Sequence, residues 1–226
     1  EDGCIVLVSG SPARKCRPGM AAIVPMLWSN LTLPLYVRSL DEILAMLARS
    51  GFNAIKLPFL HQHVLFDEGV PVASFDAHIN PQLLEKGQPL KYCAALRTIA
   101  RKAAGHGLLA WLTAHSLEGL WYSRAISEAT VLDSWSSLSR QLCGTWNIAG
   151  VGLKNRPWAA SWGYGRPIDW DRAAARLANH VAGKCPRWLI GVDGVGGLLA
   201  GDAVGGHLVR VRLRLRVRVR LSYGLR

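Results

Sequence analysis

The sequence predicts an α/β protein built on a parallel sheet, and two observations carry that expectation. Residues 146–157, WNIAGVGLKNRP, hold an apolar run with two glycines and no alternation, the pattern of a strand covered on both faces, closed by a polar turn at Asn155-Arg156-Pro157. Four segments with helical periodicity alternate along the chain with strand runs of this kind, as a parallel sheet with helical crossovers requires.

Taken in order, residues 39–48, SLDEILAMLA, begin with a Ser that can cap the first turn. They place two acids at the positive end of the helix dipole and space apolar residues at helical intervals. Residues 51–59, GFNAIKLPF, read as a strand. Residues 90–104 return to the helical pattern, with Arg97, Arg101 and Lys102 on the wet side. Residues 107–115, GLLAWLTAH, form the next strand run, and residues 127–142 open with Ser127 and Glu128 and stop before Gly144. After the strand at 148–153 comes a helix at 169–181, with Arg172 and Arg176 one turn apart on its polar face. Residues 188–194, WLIGVDG, supply a further strand.

The order of these motifs resembles glycoside hydrolase family 5, the cellulase-like TIM barrels. There the fourth strand ends in Asn-Glu-Pro and the Glu is the general acid/base; here Asn155 and Pro157 match and Arg156 stands in place of the acid. Lys56-Leu57-Pro58 resembles the Arg-Leu-Pro of the second strand, and His115 the terminal His of the third. Leu120-Trp121-Tyr122 followed by Ser127-Glu128 resembles the loop and helix start that come next. WLIGVDG resembles the fifth strand, with Asp193 where the family usually has Glu. The resemblance covers roughly residues 28–195. It implies closure of the sheet into a barrel, of which strands one to five of eight can be placed, since a complete barrel needs about 250 residues. The expected organisation is an unassigned segment at 1–26, a partial barrel at 27–195, and a tail at 196–226. The family's nucleophilic Glu, at the end of strand seven, and the aromatic platform after strand eight have no counterpart in these residues.

The chemistry implied by the resemblance fails at Arg156. A retaining glycosidase needs two carboxyl groups about 5 to 5.5 Å apart, one as nucleophile and one to protonate the leaving oxygen. A guanidinium stays protonated, has no acceptor, and cannot shuttle a proton. Its fixed charge also opposes a developing oxocarbenium ion. The resemblance therefore implies the hydrolysis of O-glycosyl bonds in a β-linked polysaccharide such as cellulose or mannan, in a chain expected to be inactive as written. The alternative is a non-catalytic carbohydrate-binding or vestigial protein, or a truncated gene product.

Candidate site residues follow in part from this resemblance and in part from the residues themselves. His115 either orients a carboxylate or binds a sugar hydroxyl, or is a strand-end histidine with a structural partner. Glu118, three residues on, is either a replacement acid or a solvated loop carboxylate. Lys56 keeps the charge of the family's Arg and loses its fork. His61 and His63 lie on one side of an extended segment and could share a zinc ion, although no third ligand is evident. The residues imply no cofactor. Nine tryptophans is a high count, and Trp121, Tyr122, Trp158 and Trp162 fall in loops after the third and fourth strands, where ring faces can stack on pyranose surfaces. Trp111, Trp135, Trp146 and Trp188 read as ordinary core.

Residues 209–221, VRVRLRLRVRVRL, alternate Arg with Val or Leu and follow a glycine-rich stretch. Such text is what a short tandem nucleotide repeat read in one frame produces, while a functional strand of this kind is a basic amphipathic ribbon suited to nucleic acid or an anionic membrane. Seven arginines and no acid lie in 209–226, so this segment accounts for seven of the chain's formal +12 charges and leaves +5. No aromatic interleaving or zinc-finger spacing favours a nucleic-acid partner. No apolar run is long enough for a membrane span, so neither nucleic acid nor membrane is an expected partner. Five cysteines lack Cys-x-x-Cys spacing and cannot all pair. The chain starts at Glu1 rather than Met, which leaves open a lost or cleaved signal peptide, and the resemblance implies secretion.

Overall fold

A computed structural model describes residues 20–22, 34–70, 75–116 and 118–195. Five parallel strands form one sheet in the order β1-β2-β5-β6-β7: Met20–Ala22, Ala54–Phe59, Leu109–Ala114, Ile148–Gly152 and Leu189–Gly191. Among the described residues β1 and β7 are edges, so these five strands form an open parallel sheet rather than the closed barrel that the resemblance implies. β1 pairs with β2 and so places the sheet's first strand ahead of residue 27. The tail at 196–226 lies outside the described residues.

Local sequence explains the helices, which begin with a single turn, α1 (Pro34–Val37). In α2 (Leu40–Arg49) Ser39 and Glu42 form a reciprocal capping box, which satisfies two backbone N–H groups at the helix start. Ser127 caps α5 (Glu128–Leu142) through the N–H of Thr130, and α5 ends at Leu142 as the sequence suggests, with Cys143 as its C-cap ahead of Gly144. α4 (Tyr92–Gly105) starts two residues later than the periodicity suggests, and α6 (Trp170–Lys184) runs three residues beyond position 181. A disulfide joins Cys143 to Cys185, tying the C-terminal ends of α5 and α6 across 42 residues of sequence. Among the described residues Cys93 is a free, buried thiol.

Alternation within the strands separates two faces. Ile55, Leu57, Phe59, Ala110, Leu112, Ala114, Val151 and Leu153 point to the helices and join one hydrophobic cluster with Leu44, Leu96, Trp135, Leu138, Trp170 and Leu177. The opposite face is laid out in rungs by the register: Lys56, Trp111 and Gly150 in one, Pro58, Thr113, Gly152 and Gly191 in the next. The glycines make room for the Trp111 indole, since a Cβ on Gly150 would sit 2.5 Å from Trp111 Cζ3 and one on Gly191 2.8 Å from Cζ2. An alanine at either position would collide with the ring.

Three local features depart from the sequence expectation. His61 and His63 are not on an extended segment: His61–Phe66 is a short helix, α3, packed against α5, and its two histidines face different neighbours. His61 is buried, its Nδ1 3.0 Å from Ser134 Oγ, with its ring edge-on to Phe59 and Trp135, while the His63 ring lies against Tyr92. Burial pushes His61 down to about 4, so it is neutral at physiological pH. Among the described residues no three metal-ligating side chains converge. A hairpin, β3 (Leu84–Glu85) and β4 (Gln88–Pro89), precedes α4 and turns through Lys86 and Gly87 at φ 51° and 77°, the signature of a type I′ turn. Trp146, read as core, is 68% exposed, because it sits in the turn before β6 rather than within the strand.

Candidate functional site

The C-terminal ends of β2, β5, β6 and β7 bring together the residues that the sequence singles out. Main-chain bonds continue the parallel pattern past the strands: His115 N–H donates to Phe59 O at 2.8 Å, Asn155 N–H to Ala114 O at 2.8 Å, and Leu153 N–H to Gly191 O at 3.1 Å. These bonds hold His115, Lys154, Asn155 and Asp193 at neighbouring strand ends, the position where side chains of such a sheet meet a ligand.

Polar contacts join these strand ends. Lys56 Nζ donates to Asn155 Oδ1 at 2.8 Å, a contact between β2 and the β6 turn. Lys154 is 2% exposed, and its ammonium donates to Ser116 Oγ, Ser116 O and Asn155 O at 3.0 to 3.2 Å. Arg156 adopts φ 48°, left-handed for a residue with a side chain, and its N–H donates to Asp193 Oδ2 at 3.1 Å. The Arg156 carbonyl accepts from Trp158 N–H, and the Asp193 carbonyl accepts from Trp170 Nε1, which ties the turn to α6. Asp193 thus acts through its carboxylate as the anchor of the Arg156 turn.

The electrostatics are those of a cationic site. Burial pushes Lys154 down to about 8, against the pull of Glu118 and Asp193. Burial also lowers Lys56, where Asp193 opposes the shift and Arg156 adds to it. His115 is lowered first by burial and then by Lys154, Lys56 and Arg156 together, so three positive groups surround it. It therefore stays neutral near pH 7 and can donate one hydrogen bond and accept another but carries no charge. Sequence reasoning passed over Lys154. The signal was strand alternation, which puts it two residues beyond Gly152 on the sheet face opposite the helices.

The aromatic set divides. Trp158 is 46% exposed, and Trp162 and Tyr122 are half-buried against the core. Trp121 departs from its expected role as a sugar platform: it is 4% exposed, its Nε1 donates to Glu128 Oε2 at 2.9 Å, and its ring packs on Tyr122 and Trp170. Glu128 also takes both forks of Arg176, at 2.7 and 2.8 Å, so Trp121 belongs to a bracket between the β5 loop, α5 and α6. The loop carrying exposed Glu118 docks on the one carrying Trp158: Ala159 N–H donates to Gly119 O, and a Cβ on Gly119 would lie 2.8 Å from Trp158 Cδ2. The two loops therefore form one rim.

No protein-family model matches the chain. It is 31% identical over 188 residues to an endoglucanase from Paenibacillus polymyxa, covering 77% of this chain and 46% of the relative. It is 30% identical over 168 residues to the major extracellular endoglucanase of Xanthomonas campestris pv. campestris, covering 71% of this chain and 34% of that one. Among solved structures, the catalytic domain of the major endoglucanase from Xanthomonas campestris pv. campestris superposes with a TM-score of 0.69 at 27% identity, over 78% of this chain and 51% of that one. An endocellulase from Pyrococcus horikoshii in complex with cellotetraose gives 0.66 at 28%, over 77% and 50%. The chain is thus similar in sequence and fold to cellulase-like endoglucanases, and it spans less than half the length of the curated relatives it matches.

Proposed function

We propose that this chain is a degenerate relative of glycoside hydrolase family 5 that binds β-linked oligosaccharide at the ends of its parallel strands and does not cleave it. The similarity to endoglucanases supports the ligand class. One observation carries the loss of cleavage: the turn that follows β6 presents Arg156, beside Lys56 and Lys154, where hydrolysis needs a carboxyl group that gives up and regains a proton. The proposed contacts are Lys56, His115 and Asn155 toward hydroxyls, with Trp158, Trp162 and Tyr122 as apolar surface. Trp121 supports the rim from beneath. Calorimetry with cello- and manno-oligosaccharides tests the proposal: heat of binding without release of reducing ends supports it, and silence with both sugars defeats it.

We also propose a partial barrel domain over 27–195, extended to include β1, and secretion on two grounds. A relative is named as extracellular, and the disulfide between Cys143 and Cys185 suits an oxidising compartment.

A further inference from the structure

The cation that removes the acid also creates a recognition element. We infer that the strand-end site takes a β-linked oligosaccharide carrying a carboxylate, as in a uronic acid unit, with the Arg156 guanidinium as the group that binds it. This rests on the oligosaccharide reading above and narrows the ligand class.

Four features lead there. Arg156 is exposed, and among the described residues its guanidinium makes no hydrogen bond or ion pair, although its backbone is pinned by Asp193 and Trp158. A free fork on a fixed turn suits a planar carboxylate, which it can hold by two parallel bonds. Lys56 is half-buried, within electrostatic reach of Arg156, and donates to Asn155, which leaves further ammonium donors. Lys154 adds a buried positive charge that salt screens poorly. Exposed Trp158, two residues from Arg156, offers a ring face for the pyranose that bears the acid.

The opposing charges are Asp193 and Glu118. Asp193 spends Oδ2 on the Arg156 backbone, and Glu118 sits on the exposed rim. Three cations against two carboxylates leave an excess positive charge at the strand ends, with His115 neutral among them. A neutral glucan leaves that charge unanswered, and a glycuronate answers it.

The test is calorimetric titration of the whole protein with cellotetraose and with a β-1,4 oligosaccharide of the same length ending in glucuronic acid. The acidic sugar is expected to bind roughly tenfold tighter at about 50 mM salt, and the advantage should shrink at about 500 mM, where exposed charges are screened. Arg156→Gln should abolish the preference, and Arg156→Lys, which keeps the charge without the fork, should retain part of it. Thermal melts of both variants confirm folding, and Lys56→Gln supplies a second arm if either fails to fold. Equal binding of the two sugars overturns this inference and leaves the oligosaccharide reading standing; binding of neither overturns both. A preference that survives Arg156→Gln, or full displacement of the acidic sugar by inorganic phosphate at matched ionic strength, also overturns it, the latter showing a site for anions in general.

Discussion

The Asp193 carboxylate receives the backbone N–H of Arg156 at 3.1 Å and so holds a non-glycine residue at φ 48° in the turn after β6. This contact decides what repair of the site can accomplish. A carboxylate that caps a strained turn is occupied: moving it toward a sugar would free the turn it stabilises.

Restoring the acid alone should therefore not restore the enzyme. Arg156→Glu returns a proton donor, but retaining hydrolysis also needs a carboxylate free to form the covalent intermediate, and the neighbouring carboxylate is bound to the backbone of residue 156. Mass spectrometry of the variant with an activated fluoroglycoside is expected to show no glycosyl adduct. An adduct would identify a nucleophile that this account lacks.

The exposed rim tryptophan should dominate affinity. Trp158→Ala is expected to weaken oligosaccharide binding by roughly 1 to 3 kcal/mol, the scale of burying one large apolar side chain, and half-buried Trp162→Ala by less. Trp121→Ala is expected to act differently, lowering thermal stability because it empties a buried site and strands a Glu128 oxygen. Calorimetry and melting curves on the three variants separate the two behaviours.

Glu128 gives a pH signature. Its bonds to Arg176, and after them the one from Trp121, hold its carboxyl below the ordinary value of 4.5. A carboxyl lowered in the folded state contributes stability that is complete above the unfolded value and fades as pH falls through the folded one. The wild-type protein should lose about 0.5 to 1 kcal/mol from this bracket as pH drops below the ordinary value of 4.5, a small figure because Arg176 is largely exposed. Urea midpoints at pH 7 and pH 3 measure it, and Glu128→Gln should flatten that part of the difference.

Cys143–Cys185 closes a 42-residue separation. Chain-entropy reasoning puts its contribution at about 4 kcal/mol, with about 2 as a lower expectation. The Cys143→Ser, Cys185→Ser double variant should unfold at markedly lower urea, and added reductant should shift the wild type and leave the double variant unchanged.

What the sequence made legible was local. Ser39 and Glu42 announce a capping box within four residues, and the unbroken apolar run at 148–153 announces a buried parallel strand, so α2 and β6 could be placed without neighbours. α3 lacks a side-chain cap and spans six residues, too short for periodicity to register, and its stability comes from packing on α5. The Lys86-Gly87 hairpin was overlooked because its strands are two residues each. Residue type could not separate the tryptophans: Trp121 is buried by Trp170 and Glu128, 49 and seven positions away, and Trp146 is exposed by a turn. In the site, Asn155-Arg156-Pro157 was visible as a motif. The charge around it was not, because Lys56 and Lys154 converge only through the pairing of β2, β5 and β6.

The central claim, a strand-end site that binds without cleaving, meets its most direct test in a long incubation of the purified, repurified protein with cellotetraose, followed by measurement of newly formed reducing ends. This account predicts none above a protein-free control, because Arg156 can neither donate nor recover a proton. Reducing ends that grow with protein concentration, and that vanish in Glu118→Gln, would contradict it and make the rim carboxylate the acid.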